Sequence, residues 1–143
     1  MTATAPDVTL VRIIPAPPRA VFEAWLDPAA LRVFMCPAQG MRVGKTEVDA
    51  RVGGKFLIVM ILGEQELPHH GEYLELERYE RLVFSWRSHV AGEGSRVALR
   101  FEPAANGQTR LTLQHFGLAG DAVRAHEQGW TQILQELAAH AAS

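Results

Sequence analysis

From Val8 to Ile14 the chain is rich in β-branched residues, a pattern that predicts a first strand. Pro15, Pro17 and Pro18 end it, and Pro18 suits the first turn of a helix, where its missing N–H costs nothing. Val21, Phe22, Trp25 and Leu26 follow at helical spacing. Asp27-Pro28 closes that short helix, and Asp27 is placed to cap a second one through Ala29, Ala30, Leu31 and Phe34. Pro37 ends the helical region.

Between Met41 and Gln114 the period changes from helical to alternating. Strands are predicted at about Thr46 to Ala50, Phe56 to Leu62 and His70 to Glu77, then at Arg81 to Ser88, Ser95 to Glu102 and Thr109 to His115. The turn signals between them are Val52-Gly53-Gly54, the stretch from Gly63 to Pro68, Gly92 to Gly94, and Asn106-Gly107. Six strands joined by short turns make an antiparallel meander. The tail from Asp121 to His140 contains no proline, and His126, Trp130, Ile133, Leu134, Leu137 and Ala141 line one side of it at a 3.6-residue period. At 1.5 Å per residue this helix is about 30 Å long, enough to cross a sheet.

A single antiparallel sheet with one apolar face must bury that face, and the terminal helix is the available cover. Alternation assigns Phe56, Ile58 and Met60, then Leu82, Phe84 and Trp86, to the covered face. It adds Val97, Leu99 and Phe101, then Leu111, Leu113 and His115, with Trp130, Leu134 and Leu137 facing them from the helix. Packing at ordinary interior density turns these residues into a filled core. A strongly twisted sheet around a helix leaves space for a cavity instead. One strand is apolar on both faces, because Leu57, Val59 and Ile61 lie opposite Phe56, Ile58 and Met60. Its outer side needs a cover, either the N-terminal helices or a second subunit in a homodimer.

Composition adds mainly exclusions. The 143 residues are 48% hydrophobic and 21% charged, which fits one domain over residues 1–143. With 14 Lys and Arg against 16 Asp and Glu, the net charge of -2 gives no broad attraction to nucleic acid or to anionic membrane. One cysteine, Cys36, leaves no intramolecular disulfide and no multi-cysteine zinc module. No apolar run reaches the roughly 18 residues of a membrane span, and Met1 to Asp7 lacks a signal-peptide pattern. A cytoplasmic location is expected.

The segment from Gly71-Glu72-Tyr73 through Glu80-Arg81-Leu82-Val83-Phe84-Ser85-Trp86 carries a resemblance. With Gly53-Gly54-Lys55-Phe56 and the tail block His126-Glu127-Gln128-Gly129-Trp130, it resembles the homologues of the activator of the heat-shock-protein-90 ATPase. These belong to the START-like (SRPBCC) helix-grip superfamily, and the likeness runs from Val11 to about Ala138. The resemblance implies an α+β helix-grip fold. In it, a curved antiparallel sheet of six to seven strands wraps a long C-terminal helix, two short helices follow strand one, and an apolar cavity lies between sheet and helix. It also implies three kinds of function: binding of a small apolar or amphipathic molecule, cyclase or hydrolase chemistry in the same cavity, or interaction with a chaperone. The family block W-F/W-G-P after the second helix reads Phe34-Met35-Cys36-Pro37 here, a departure at the expected cavity mouth.

The expected cavity is therefore lined by the aromatics Trp25, Phe56, Phe84, Trp86, Phe101 and Trp130, with Ile58, Met60, Leu99, Leu113 and Leu134 between them. The loop from Phe34 to Pro37 gates its mouth, with Phe34 and Met35 among the lining residues, and Tyr73, His115 and Glu127 are its polar contacts. No catalytic set is assigned, but a histidine in an apolar pocket stays neutral and serves as a base, and a buried carboxyl serves as an acid. His115, Glu127 and Tyr73 are the candidates for such roles. His69 and His70 are neighbours, so at most one of them faces inward. No local metal-ligand signature accompanies the histidines, and neither metal nor cofactor is expected. Cys36 reads as a small buried hydrophobe, without the His/Asn signature of a nucleophile.

Overall fold

The structure, a computed structural model, describes residues 5–142. The elements are β1 (Val8–Ile14), α1 (Pro18–Ala24), α2 (Pro28–Phe34), β2 (Met41–Val48), β3 (Lys55–Leu62) and β4 (Gln65–Glu77). They continue with β5 (Arg81–Ser88), β6 (Gly92–Pro103), a 3-10 turn (Ala105–Gly107), β7 (Thr109–Phe116) and α3 (Gly120–Ala142). Seven antiparallel strands form one curled sheet in the order β1-β7-β6-β5-β4-β3-β2. The chain runs as a meander from β2 to β7, and β1 closes on β7 from Val8↔His115 to Ile14↔Thr109. The result is the helix-grip architecture.

Local chemistry explains the elements. Pro18 sits in the first turn of α1, and the Asp27 carboxylate caps α2 by accepting the Ala29 N–H at 2.9 Å. Asn106 and Gly107 both take positive φ, 62° and 72°, the geometry a tight hairpin needs and the reason this dipeptide stands between β6 and β7. On the concave face, Phe56, Ile58, Met60, Leu82, Phe84, Trp86, Leu99, Leu111 and Leu113 are buried. Against them pack Trp130, Ile133, Leu134 and Leu137 of α3, with Val21, Phe22, Trp25, Leu31, Phe34 and Met35 filling the far side.

Three strand boundaries differ from the pattern. β2 starts at Met41, not Thr46, because a bulge between Val43 and Thr46 breaks the alternation. β4 begins at Gln65, so the loop after β3 narrows to Gly63 and Glu64, with Gly63 at φ +63°. β6 begins at Gly92, so the glycines expected in a turn lie within the strand. Val83 and Ala98, on the outer face of the central strands, are buried all the same. They pair with each other across β5 and β6 and sit among long side chains such as Glu75, Arg96 and Arg100.

Both N-terminal helices contribute to the concave side. Thr46 Oγ1 of β2 donates to the Pro28 carbonyl at 3.0 Å and accepts from Arg32 Nε at 3.1 Å, which pins α2 over the inner face. The outer stripe Leu57, Val59 and Ile61 is half-buried. The helices do not reach it, so that one of the two expected covers is corrected.

Gly71 carries the curl between β4 and β5. It pairs with Phe56, whose ring lies across it, and an added Cβ would run into that ring and into the Ser85 carbonyl. The adjoining Glu72 N–H is met by the Ser85 hydroxyl at 2.9 Å, next to the register shift between Tyr73 and Glu75. Gly71→Ala is therefore expected to lower stability by about 1–3 kcal/mol or more, as overpacking against backbone does. Gly94→Ala, with open space around its Cβ, is expected to stay within about 0.5 kcal/mol of the parent. Urea midpoints of the two variants check the contrast, and equal midpoints contradict it.

Candidate functional site

Space inside the fold is divided unequally. Between Trp25, Leu31, Met35, Phe56, Ile58, Tyr73, Phe84 and Trp86 lies a void of only about 10 Å³, no more than one water requires. The aromatic residues expected to wall a large central cavity instead fill it. Trp25 meets Phe34 and Phe84 at centroid distances of 5.2 and 6.4 Å, and Phe56 meets Phe84 edge-on at 5.4 Å. Phe34, Leu99, Phe101, Leu113 and Leu134 are buried in this packing and line neither the void nor the cleft described next. Two donors are left over: the indole N–H groups of Trp25 and Trp86 are buried without an acceptor.

The usable space is an open cleft of about 340 Å³ at one end of α3. Met41, Met60, Trp86, Val90, Trp130 and Ile133 make its apolar walls, with Pro37 and Ala38 from the loop after α2. Its polar members are His69 of β4 and His126 and Gln128 of α3. Trp86 belongs to both spaces and separates the cleft from the inner void. The loop after α2 borders the cleft through Pro37 and Ala38, whereas Phe34 and Met35, at the other end of the expected gate, are buried inside.

His115 is fully buried in a chain of hydrogen bonds from helix to sheet. Trp130 Nε1–H donates to His115 Nδ1 at 2.9 Å. The Ser95 hydroxyl spends its one hydrogen on the Trp86 carbonyl at 2.6 Å, so its oxygen accepts from His115 Nε2–H at 3.0 Å. Both ring nitrogens are occupied, and the tautomer is fixed with the proton on Nε2. Burial, aided by the nearby His126, lowers the His115 pKa to about 3, so the ring is neutral at pH 7. With its lone pair engaged by Trp130, this imidazole is a brace with no free base.

The other two candidates lie elsewhere. Glu127 is exposed on α3, so its expected place on the cavity wall is corrected. Tyr73 faces the small inner void, where burial and then the Asp49 carboxylate push its phenol upward, keeping it protonated. No cavity lining among the described residues contains two of the three. Cys36 is half-buried, and burial, reinforced by Glu136, pushes its thiol up, the reverse of an activated nucleophile. Among the described residues no three His, Cys, Asp or Glu side chains are grouped to hold a metal.

His69 is the residue that alternation left open. It is the inward member of the His69-His70 pair, tilted against Trp86 at 5.0 Å. Its Nδ1–H donates to the Leu67 carbonyl at 2.9 Å. Burial lowers its pKa to about 4 against the opposing backbone carbonyls of Leu67 and Ile58, and His126 and His70 add to the lowering. His126 repeats the arrangement on α3, with Nδ1–H donating to the Ala122 carbonyl at 2.9 Å.

Acid should therefore weaken the fold in a defined window. His69 and His115 have folded pKa values below the unfolded 6.5, so the unfolded chain binds more protons and stability falls as pH drops. The loss begins near pH 6.5 and continues to about 4 for His69 and about 3 for His115. A group that titrates only in the unfolded chain contributes about 1.4 kcal/mol per pH unit. Ser95→Ala strands the His115 Nε2–H and is expected to cost about 1–3 kcal/mol at pH 7. Denaturant unfolding at several pH values checks both, and a flat profile from pH 7 to 4 contradicts the first.

The sequence family described as Activator of Hsp90 ATPase homolog 1-like protein matches residues 15–142. Protein CV1439 from Chromobacterium violaceum is 32% identical, with a TM-score of 0.83 over 92% of this chain and 94% of that one. The AHSA1 protein from Silicibacter pomeroyi is also 32% identical, with a TM-score of 0.79 over 94% and 96% of the two chains. The AHSA1-like protein from Aeromonas hydrophila, 21% identical, shares the fold with a TM-score of 0.77 over 93% and 91%. No curated protein matches the chain. Among the described residues no helix is long and apolar enough to cross a membrane.

Proposed function

The chain belongs to the activator of Hsp90 ATPase homolog 1-like family, and from that premise we propose that it is a cytoplasmic binding protein for a small apolar or amphipathic molecule. The guest sits in the cleft between α3 and the open end of the sheet. The observation that carries this reading is the cleft itself: about 340 Å³ of concave space with Met, Ile, Val and Trp walls and a few convergent polar groups. That volume lies within the usual range for small-molecule sites. No Asp, Glu, Lys or Arg belongs to its lining, so burial of an apolar guest strands no charge. The chaperone role named in the family's description receives less support from this site, because a concave apolar cleft suits a small guest better than a folded partner.

A second reading, cyclase- or hydrolase-type chemistry on a bound carbonyl compound, draws on one observation. His69 is neutral at pH 7 and lines the cleft with only its Nε2 lone pair uncommitted.

Ala125 lines the cleft from an exposed position on α3, so it can be enlarged without disturbing the core. Ala125→Trp is expected to fill the cleft and weaken binding of an uncharged apolar fluorescent probe such as N-phenyl-1-naphthylamine by at least about tenfold, with an unchanged melting temperature. Undiminished binding by this variant removes the cleft as the site. The half-buried outer stripe of β3, Leu57, Val59 and Ile61, supports pairing with a second copy of the chain. Sedimentation at micromolar concentration is expected to give a dimer mass, and a monomer mass removes that part of the proposal.

A further inference from the structure

The two histidines of the cleft are held alike from opposite walls. His69 belongs to the sheet and His126 to the helix, and each gives its Nδ1–H to a backbone carbonyl of its own element, Leu67 or Ala122. A carbonyl oxygen only accepts, so each ring carries a proton on Nδ1, and each ring in its neutral form keeps its lone pair on Nε2. Ring contacts fix their orientation, with His69 on Trp86 at 5.0 Å and His126 edge-on to His115 at 5.1 Å. The buried His115 is opposite in kind, both of its nitrogens being used.

The cleft therefore offers its guest two hydrogen-bond acceptors. Besides these, the Gln128 amide donates, the Trp86 indole N–H is buried without an acceptor, and no lysine or arginine side chain lines the cleft. A carboxylate or phosphate head finds no lysine or arginine there, and the lone pair of the neutral His69 ring repels it. An O–H group on an apolar body matches. The walls select the body: Trp86 and Trp130 lie at 4.9 Å and 53° to each other, and Met41 and Met60 close the space with polarizable thioethers. Resting on the cleft-binding reading above, we propose that the guest is a neutral hydroxylated aromatic, a phenol or naphthol, whose O–H donates to Nε2 of His69 while its ring packs on Trp86. His126 Nε2 receives a second hydroxyl where the guest carries one.

Calorimetric titration with 2-naphthol and with 2-methoxynaphthalene, at pH 7 and on the unmodified protein, tests this. The two probes share a ring system and differ in the donor. The naphthol is expected to bind about tenfold tighter, the yield of one ordinary hydrogen bond. His69→Phe keeps an aromatic ring against Trp86 and removes the acceptor. It is expected to erase the preference while leaving the methoxy compound's affinity within about twofold. Equal affinity of the two probes for the unmodified protein overturns the proposal and leaves the cleft as a plain apolar site. Binding of neither probe overturns the cleft reading beneath it. The comparison on the unmodified chain stands even if the variant does not fold.

Discussion

The fold depends on one connection, the run of hydrogen bonds from Trp130 on α3 through His115 on β7 and Ser95 on β6 to the Trp86 carbonyl on β5. The apolar stripe of α3 chooses which side faces the sheet, but hydrophobic burial is non-directional and fixes the rotation within that side only loosely. A buried, fully satisfied polar chain fixes it closely. It sets α3 so that Trp130 faces the sheet, and with that rotation His126, Gln128 and Gly129 border the cleft. The same indole that donates to His115 walls the cleft, and the strand that ends the chain of bonds provides Trp86, the wall opposite. Structure and site share their parts.

That arrangement also explains where binding space is found. A helix gripped by a curled sheet has its largest potential volume at the centre, but here bulky aromatics close it to about 10 Å³. Aromatic side chains would not have that effect if they lay flat along the sheet. These interlock from three directions, α1 and α2 sending in Phe22, Trp25 and Phe34 while β3, β5 and β6 send in Phe56, Phe84, Trp86 and Phe101. An open cleft is left where α3 begins and the strands run out, between His69 and His126. The unpaired N–H groups of Trp25 and Trp86 mark the boundary of the filled region.

Much of this was legible in the sequence, and the exceptions have physical causes. Period and punctuation placed β1, both short helices, the Asn106-Gly107 hairpin and α3 to within a few residues. A bulge hid the start of β2 and another the register of β4 beyond Tyr73, since a single extra residue inverts the alternation and leaves no composition cue. Parity correctly turned His115 inward, but its partners stand 20 and 15 residues away, so its role as a brace was invisible. Glu127 was misplaced for a different reason. Ala138 occupies nearly the same side of α3 about three turns on and is buried, whereas Glu127 lies near the helix start, where the sheet no longer covers that side. His69 could be narrowed by parity to one of two neighbours, and only the register with Ile58 of β3 decided between them.

The central claim is a division of labour among imidazoles: one closed and structural, two open toward the cleft. Long-range ¹⁵N correlation spectra of the histidine rings at pH 7 test it on the protein without any guest. The account predicts the Nε2–H tautomer for His115 and the Nδ1–H tautomer for both His69 and His126. A His115 ring that is charged or carries its proton on Nδ1, or an Nε2–H tautomer at both cleft histidines, would contradict it.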